Sequence, residues 1–356
     1  ARTEADAARY HAAYAGAIAA IAGAATGDVR TSPGISVKLS ALHPRYEVAQ
    51  RARVMAELLP RLIDLAGRAA AAGIGLNIDA EEAERLELSL ELVEAALADP
   101  RLAGWDGFGV VVQAYGRRAG AVIDWLGARA AAHRRRLMVR LVKGAYWDTE
   151  IKRAQVLGLP DFPVFTRKAV TDVAYIAHAR RLLGMTDRLY PQFATHNAHS
   201  VAAIMHMAQG LPRAVWEFQR LHGMGERLHE IVHERHRTSC RIYAPVGRHR
   251  DLLAYLVRRL LENGANSSFV NRIVDPAVPA EAVAACPFAA IEGARLPNPA
   301  LRTGPTLFPD RANSRGWDLA DTATLAAIEA ARAPHRATRF AAAPEIAADA
   351  PGGPLR

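Results

Sequence analysis

Short apolar runs alternate with longer stretches of 3.6-residue periodicity along most of the chain. After an opening amphipathic helix over 4–22, GISVKLS (34–40) reads as a strand and VMAELLPRLIDLAGRAAAAG (54–73) as a helix. The pair recurs as GIGLNIDA (73–80) with RLELSLELVEAAL (85–97), then as FGVVVQAY (108–115) with AVIDWLGARAAAH (121–133). LMVRLVKGA (137–145) precedes two helical stretches that reach about residue 183. PQFATHN (191–197), AVWEFQRL (214–221) and CRIYAPVG (240–247) complete the strands, and DLLAYLVRRLLENG (251–264) follows as a helix. Strict alternation with short connections predicts a parallel sheet. Seven units behind an opening helix predict an α/β fold, a (βα)8 barrel of the TIM type whose first strand lies just upstream of residue 1. A doubly wound sheet is the competing architecture, and it often carries a Gly-rich first turn. Gly223-Met224-Gly225 lacks a third glycine and falls late in the chain, so it reads as a turn leading into a helix.

From about residue 276 the rhythm stops. PAVPAEAVAACPFAAIEGARLPNPALRTGPTLFPD is rich in Pro and Ala, and only a short helix near 321–333 follows. The barrel is thus expected over 1–275, and a linker or docking segment over 276–356.

Parallel strands in a barrel are buried on both faces and should be almost wholly apolar. A polar side chain there costs several kcal/mol unless it is paired or used. Here every strand carries polar groups near its carboxyl end: Lys38, Asn77 and Asp79, Gln113, Arg140, Thr195-His196-Asn197, Glu217 and Gln219, Arg241 and Tyr243. Asn77/Asp79, Gln113/Tyr115, Glu217/Gln219 and Arg241/Tyr243 keep period-2 register, which aims each pair at the barrel interior. Barrel active sites lie at that end, so seven polar strand ends point to a large polar ligand. In the last helix, Tyr255, Arg258, Arg259 and Glu262 share one face, opposite an arc of Leu252, Leu253, Leu256, Val257, Leu260 and Leu261. That polar face fits an ordinary solvated surface with an Arg–Glu pair, or a guanidinium pair gripping a carboxylate.

Composition changes the picture little. Apolar residues make up 51% and charged residues 23%, as in ordinary globular proteins. The net charge of +9 allows an anionic partner, but the basic residues are scattered apart from His133-Arg134-Arg135-Arg136. No nucleic-acid-binding motif accompanies that run, which reads as a solvated helix end. Two cysteines, Cys240 and Cys286, exclude a disulfide scaffold and a cysteine zinc site. His196 and His199, with Asp79 and Glu217, could build a metal-dependent hydrolase site, though the ligand count is thin. His222, His229, His233 and His236 read as surface residues.

Nine collinear segments carry a family resemblance: GISVKLSALHPRYE, LNIDAEEAERLELSL, VVVQAYGRRA, RLMVRLVKGAYWDTEIKRAQVLGL, PVFTRKAVTDVAYIA, YPQFATHNAHS, WEFQRLHGMGE, CRIYAPVG and YLVRRLLENGANSSFVNRI. Over about 1–275 the chain resembles the proline dehydrogenase domain of bacterial proline utilization A proteins. Residues 276–334 resemble the segment leading to that family's aldehyde dehydrogenase domain. The resemblance implies a barrel that binds FAD without a dinucleotide fold and oxidises L-proline to Δ1-pyrroline-5-carboxylate, by hydride transfer from proline C5 to flavin N5. It implies that Gln113, Arg140, Lys143 and Gly144 neighbour the isoalloxazine. Trp147, Thr166, Lys168, Thr195, His196, Asn197, Gln219, Glu262, Ser268 and Phe269 would hold the rest of the cofactor. Lys38, Arg258 and Arg259 would clamp the substrate carboxylate, with Asp79 orienting them. Tyr146, Leu221, Tyr243 and Tyr255 would shape the pyrrolidine pocket. It further implies a cytoplasmic protein, peripheral at the inner membrane, that passes electrons to a membrane quinone and binds no nucleic acid through this segment. In the family, an acidic residue on the upstream strand lies near the arginine pair.

Overall fold

The computed structural model describes residues 1–247, 252–264 and 277–342, without the side chains of Ala254, Ala280 and 261–264. Helix α1 (Glu4–Ala22) opens on a capping box: Asp6 N–H donates to the Thr3 hydroxyl, and Thr3 N–H donates to the Asp6 carboxylate. Seven strands follow: β1 (Gly34–Val37), β2 (Gly75–Ile78), β3 (Phe108–Gln113), β4 (Leu137–Val142), β5 (Leu189–Ala194), β6 (Glu217–Leu221) and β7 (Cys240–Tyr243). All are parallel, in the order β1 to β7, each beside its successor in sequence. The helices α2 (Leu39–Leu42), α3 (Arg51–Ala71), α4 (Leu86–Leu97), α5 (Ala119–Ala132), α6 (Trp147–Val156), α7 (Lys168–Leu183), α8 (Ala198–Met207) and α9 (Glu226–His236) connect them, and α10 (Leu253–Gly264) follows β7.

The main core lies between sheet and helices. Alternate strand residues such as Val110, Val112, Val139, Leu141, Phe193 and Phe218 point outward and are buried. In α3 they meet Val54, Leu58, Leu62, Leu65, Ala66 and Ala69, a stripe at helical spacing. A Leu→Ala change there costs about 2–5 kcal/mol. Pro60 sits inside α3, but on its exposed side, where water can serve the carbonyl it leaves without a donor. A smaller core of Tyr115, Ile151, Ala154, Phe162 and Val164 packs separately, with Trp147, Leu159 and Leu301 against it.

The sheet curls until its two edges come within reach of one side chain. Arg241 of β7 donates to the carbonyls of Ser32 (2.7 Å) and Arg30 (2.8 Å), just before β1. Strand–helix alternation and a parallel sheet are as the sequence predicts, with seven strands among the described residues. Strand ends differ. GISVKLS leaves the sheet at Val37, because the β1–β2 ladder stops at the Val37–Ile78 pair and Lys38 caps α2 instead. β3 stops at Gln113, so Tyr115 does not share its inward face and turns into the small core. Thr195-His196-Asn197 lies in the loop after β5, where Asn197 caps α8 by accepting from Ser200 N–H at 2.9 Å. Beyond residue 276 the described chain forms α11 (Ala280–Val283) and α12 (Thr322–Arg332), with no strand among the described residues.

Candidate active site

Asp79 stands just past β2 at the mouth of the curled sheet, and three groups, two from strands and Lys38 from just past β1, converge on it. Arg140 Nη1 of β4 donates to its Oδ1 at 3.0 Å, Lys38 Nζ lies 3.3 Å from its Oδ2, and the Tyr243 hydroxyl donates to Oδ2 at 3.5 Å. Arg140 Nη2 donates to Ser36 Oγ at 2.6 Å, and the Tyr243 ring lies 5.3 Å from the guanidinium carbon. Inward register makes this meeting possible, since Ser36, Arg140 and Tyr243 all occupy interior positions of their strands. Burial alone would depress the Lys38 ammonium, but Asp79, aided by Tyr146, Glu81 and Tyr243, outweighs it and holds the pKa above the ordinary lysine value. Burial next to Asp79 pushes the Tyr243 phenol up.

Below this cluster runs a second polar tier whose members bond one another, although Asn77 Oδ1 is buried without a hydrogen-bond partner among the described residues. Asn77 Nδ2 donates to Gln192 Oε1 across the interior at 2.8 Å, and Gln192 Nε2 donates to Glu217 Oε1 at 2.7 Å. Arg241 grips the same carboxylate at 2.7 and 3.2 Å, and Tyr190 donates to it at 3.3 Å. Asn77, Glu217 and Arg241, expected at the ligand-facing end, instead bond one another through this network, because each sits one inward step below the mouth.

Helix α10 crosses the mouth with its polar face inward. Tyr255 stacks on Tyr243 at 6.4 Å, the Arg259 guanidinium lies 5.3 Å from the Tyr255 ring, and that of Arg258 lies 6.0 Å from the Tyr146 ring. Four residues of the apolar arc, Leu253, Leu256, Val257 and Leu260, are exposed. This inverts the usual amphipathic rule, because the surface α10 covers is itself polar. The solvated reading of Arg258 and Arg259 therefore gives way to the inward one. The Glu262 side chain, Ser268 and Phe269 lie outside the described residues.

The remaining candidates lie in β3 and β6 and in the segments that follow β4 and β5. Gln113 bridges loops, donating to Glu81 O at 2.9 Å and accepting from Ala145 N–H at 3.3 Å. Gly144 holds φ +136°, and a Cβ there would lie 2.5 Å from the Tyr115 ring, so only glycine fits. Lys143 and Lys168 share Asp172, the latter at 3.0 Å; the two cations hold its carboxyl below the ordinary range despite burial. Trp147 Nε1 donates to Phe165 O at 2.8 Å, and Thr166 Oγ1 accepts from Asn298 N–H at 2.8 Å. Gln219 is buried in β6, and Thr195 Oγ1 accepts from Asn197 N–H at 3.1 Å. Leu221 N–H donates to His196 Nε2 at 3.0 Å. Burial, with His229, Arg259 and Arg220 nearby, pushes His196 down to about 4, which keeps the ring neutral and its Nε2 an acceptor.

Four residues were invisible from sequence. Ser36 and Asp172 pair with Arg140 and with the two lysines, but a lone serine in a strand and an aspartate within a helix carry no signal. His229 is buried, not on the surface, and bonds Thr195 O at 2.9 Å. Arg135 is also buried and donates to Leu97 O (3.2 Å) and Trp105 O (3.0 Å), so the basic run is not wholly solvated. The metal-hydrolase groups do not converge: Asp79 serves Arg140 and Lys38, Glu217 serves Arg241, and His196 Nε2 accepts from the backbone. No cluster of three His, Cys, Asp or Glu side chains suited to a metal occurs among the described residues.

A family model described as proline dehydrogenase matches residues 1–272. The chain belongs to the proline dehydrogenase family. It is 52% identical to the bifunctional protein PutA of Salmonella typhimurium over 97% of this chain, and 53% identical to that of Rhizobium meliloti over 99%. It spans 27% and 29% of those two proteins' lengths, so it corresponds to roughly a quarter of each. Among solved structures, proline utilization A of Bradyrhizobium japonicum matches with a TM-score of 0.90 at 56% identity, covering 93% of this chain and 34% of that one. The Bdellovibrio bacteriovorus protein inactivated by N-propargylglycine matches at 0.84 and 29% identity, over 94% of this chain and 36% of its own.

Proposed function

We propose that this proline dehydrogenase family chain oxidises L-proline to Δ1-pyrroline-5-carboxylate with FAD as its cofactor. The observation that carries the reading is the cluster of Lys38, Asp79, Arg140 and Tyr243 at the mouth, roofed by Tyr255, Arg258 and Arg259. Proline is a zwitterion whose carboxylate calls for cations, and Lys38, Arg258 and Arg259 supply them, Arg in bidentate fashion. N-propargylglycine, named with the Bdellovibrio protein, is likewise a secondary-amine amino acid.

The residues fit a flavin. Arg140 Nε is buried without a hydrogen-bond partner among the described residues, a donor that a polar ring could use. Gln113, Lys143, Trp147, Thr166, Lys168, Thr195, His196, Asn197 and Gln219 are the polar groups that would hold the rest of the cofactor. Bound FAD would supply the two-electron acceptor, taking hydride from proline C5 at flavin N5. The chain's own part is orientation and charge. Lys38 and the α10 arginines fix the carboxylate, while Tyr146, Leu221, Tyr243 and Tyr255 close around the ring and exclude water. Arg140 brings a permanent positive charge to where negative charge would develop, held in place by Asp79 and Ser36.

As the family resemblance implies, we read a membrane quinone as the electron acceptor, a cytoplasmic setting peripheral to the inner membrane, and residues 276–356 as leading to an aldehyde dehydrogenase domain. No helix among the described residues is long and apolar enough to cross a membrane. The test is the visible spectrum of the purified protein. It is expected to be that of a flavin, bleached by L-proline and not by D-proline; a colourless protein that takes up no FAD refutes the reading.

A further inference from the structure

The stretch 295–316 runs along α6 and the α6–α7 connection and is stitched to both. Asn298 N–H donates to Thr166 Oγ1 at 2.8 Å, Arg167 Nε donates to Arg295 O at 2.9 Å, and Gln155 Nε2 donates to Arg302 O at 2.8 Å. Gly316 N–H donates to Gly158 O at 3.0 Å. There the two backbones touch: a Cβ on Gly316 would overlap the Leu157 carbonyl oxygen, and one on Gly304 would lie 2.5 Å from Gly158 Cα. Between these anchors Leu301 packs on the small core built around Tyr115, Ile151, Phe162 and Val164, to which Trp147 also belongs. The Tyr115 ring is in turn what lies against Gly144.

We propose that 295–316 is a strap that completes the cofactor site from behind. It touches no ligand. It holds Thr166 by its hydroxyl, closes with Leu301 the core that seats Trp147, and through Tyr115 backs the Gly144 turn. Asn298, Leu301 and Gly316 are therefore positioning residues for one side of the flavin site, and the segment after the barrel is not a passive linker. The proposal rests on the flavin reading above.

The physical expectation is selective. The strap is outside the main core, so disturbing it loosens the Gly144–Lys168 side of the mouth and leaves the Lys38–Asp79 side intact. Two variants test it in the full chain, Leu301→Ala, which thins the small core, and Gly316→Ala, which wedges strap from barrel. FAD titrated into apoprotein and followed by flavin fluorescence should bind roughly tenfold more weakly in each, the effect of about 1.4 kcal/mol lost from the site. KM for L-proline at saturating FAD should stay at the wild-type value. In cofactor-free protein, hydrogen exchange should quicken at 144–147 and 163–168 and stay unchanged in β1 and β2. Unaltered FAD affinity in both variants, or faster exchange confined to 295–316, overturns the proposal. A wild-type chain that takes no FAD defeats the flavin reading, while the exchange measurement still decides whether the strap braces the mouth.

Discussion

Asp79→Asn keeps the shape of the mouth and deletes the negative charge on which Arg140, Lys38 and Tyr243 converge at 3.0, 3.3 and 3.5 Å. Its consequence can be worked through Lys38. Burial is the largest influence on that ammonium and lowers its pKa; Asp79 is the first of the charges that reverse the sign. With a neutral amide in its place, and Arg140 still cationic beside it, burial prevails and Lys38 titrates below its ordinary value of about 10.4. Neutral lysine no longer offers the substrate carboxylate a charge-assisted hydrogen bond, worth about 1.5–3 kcal/mol, or roughly 10- to 150-fold in binding. The assay is KM for L-proline from about pH 6 to 10, spanning the approach to the ordinary lysine range. The substrate's own amine titrates equally in both proteins, so the difference between their profiles isolates Lys38. In the wild type the raised pKa keeps Lys38 charged throughout, and its stabilisation is lost only above the ordinary lysine range. In the variant KM should climb as pH rises, with flavin absorbance retained. Superimposable KM profiles would refute the placing of Lys38 and Asp79 in one electrostatic unit.

If Arg258, whose guanidinium lies over the Tyr146 ring, grips the carboxylate as proposed, Arg258→Ala should raise KM for L-proline about 10- to 100-fold with FAD still bound; loss of flavin at unchanged KM contradicts the role. His196, held down to about 4, should show no titration by 15N NMR between about pH 5 and 8. Because its folded pKa lies below the unfolded one, its contribution to stability is present above about pH 6.5 and is lost as pH falls toward 4, by up to about 3 kcal/mol in urea unfolding. Glu217→Ala should cost about 3–5 kcal/mol by leaving Arg241 buried without its counter-ion, and Glu217→Gln less, since an amide oxygen can still accept; equal losses would show that the retained acceptor contributes nothing and the charge is the whole effect.

Much of this was legible because parallel strands tolerate so few polar residues. Asp79 and Arg140 stood out against an apolar background, and period 2 aimed them inward. The same signal could not separate storeys. Asn77 and Asp79 are equally polar and share one face, yet only the upper one reaches the mouth. Depth depends on strand stagger, which no single strand's sequence encodes. Helix α10 misled for a related reason. Its apolar arc is plain, but which face turns inward depends on what the helix covers, and a polar mouth draws in Tyr255, Arg258 and Arg259. The strap was unreadable because its holds are backbone atoms and glycines, whose value lies in what they lack.

The two storeys explain how a barrel can carry so much polarity and remain folded. A buried charge is tolerated when its partners are fixed, and Glu217 accepts four hydrogen bonds from Gln192, Tyr190 and Arg241, while Arg241 in turn ties the sheet's two edges together. That lower tier commits its charged groups, Glu217 and Arg241, to one another. The upper tier is arranged the other way. Lys38 and Arg140 face the mouth and share one carboxylate, Asp79, so this trio carries a net positive charge. An enclosed cationic surplus is unfavourable until an anion arrives. On the reading above two would arrive, the proline carboxylate and the electron-rich reduced ring. Asp79 then sets how much of the surplus each receives, and that is why removing its charge, with its shape preserved, is the most informative single change to this site.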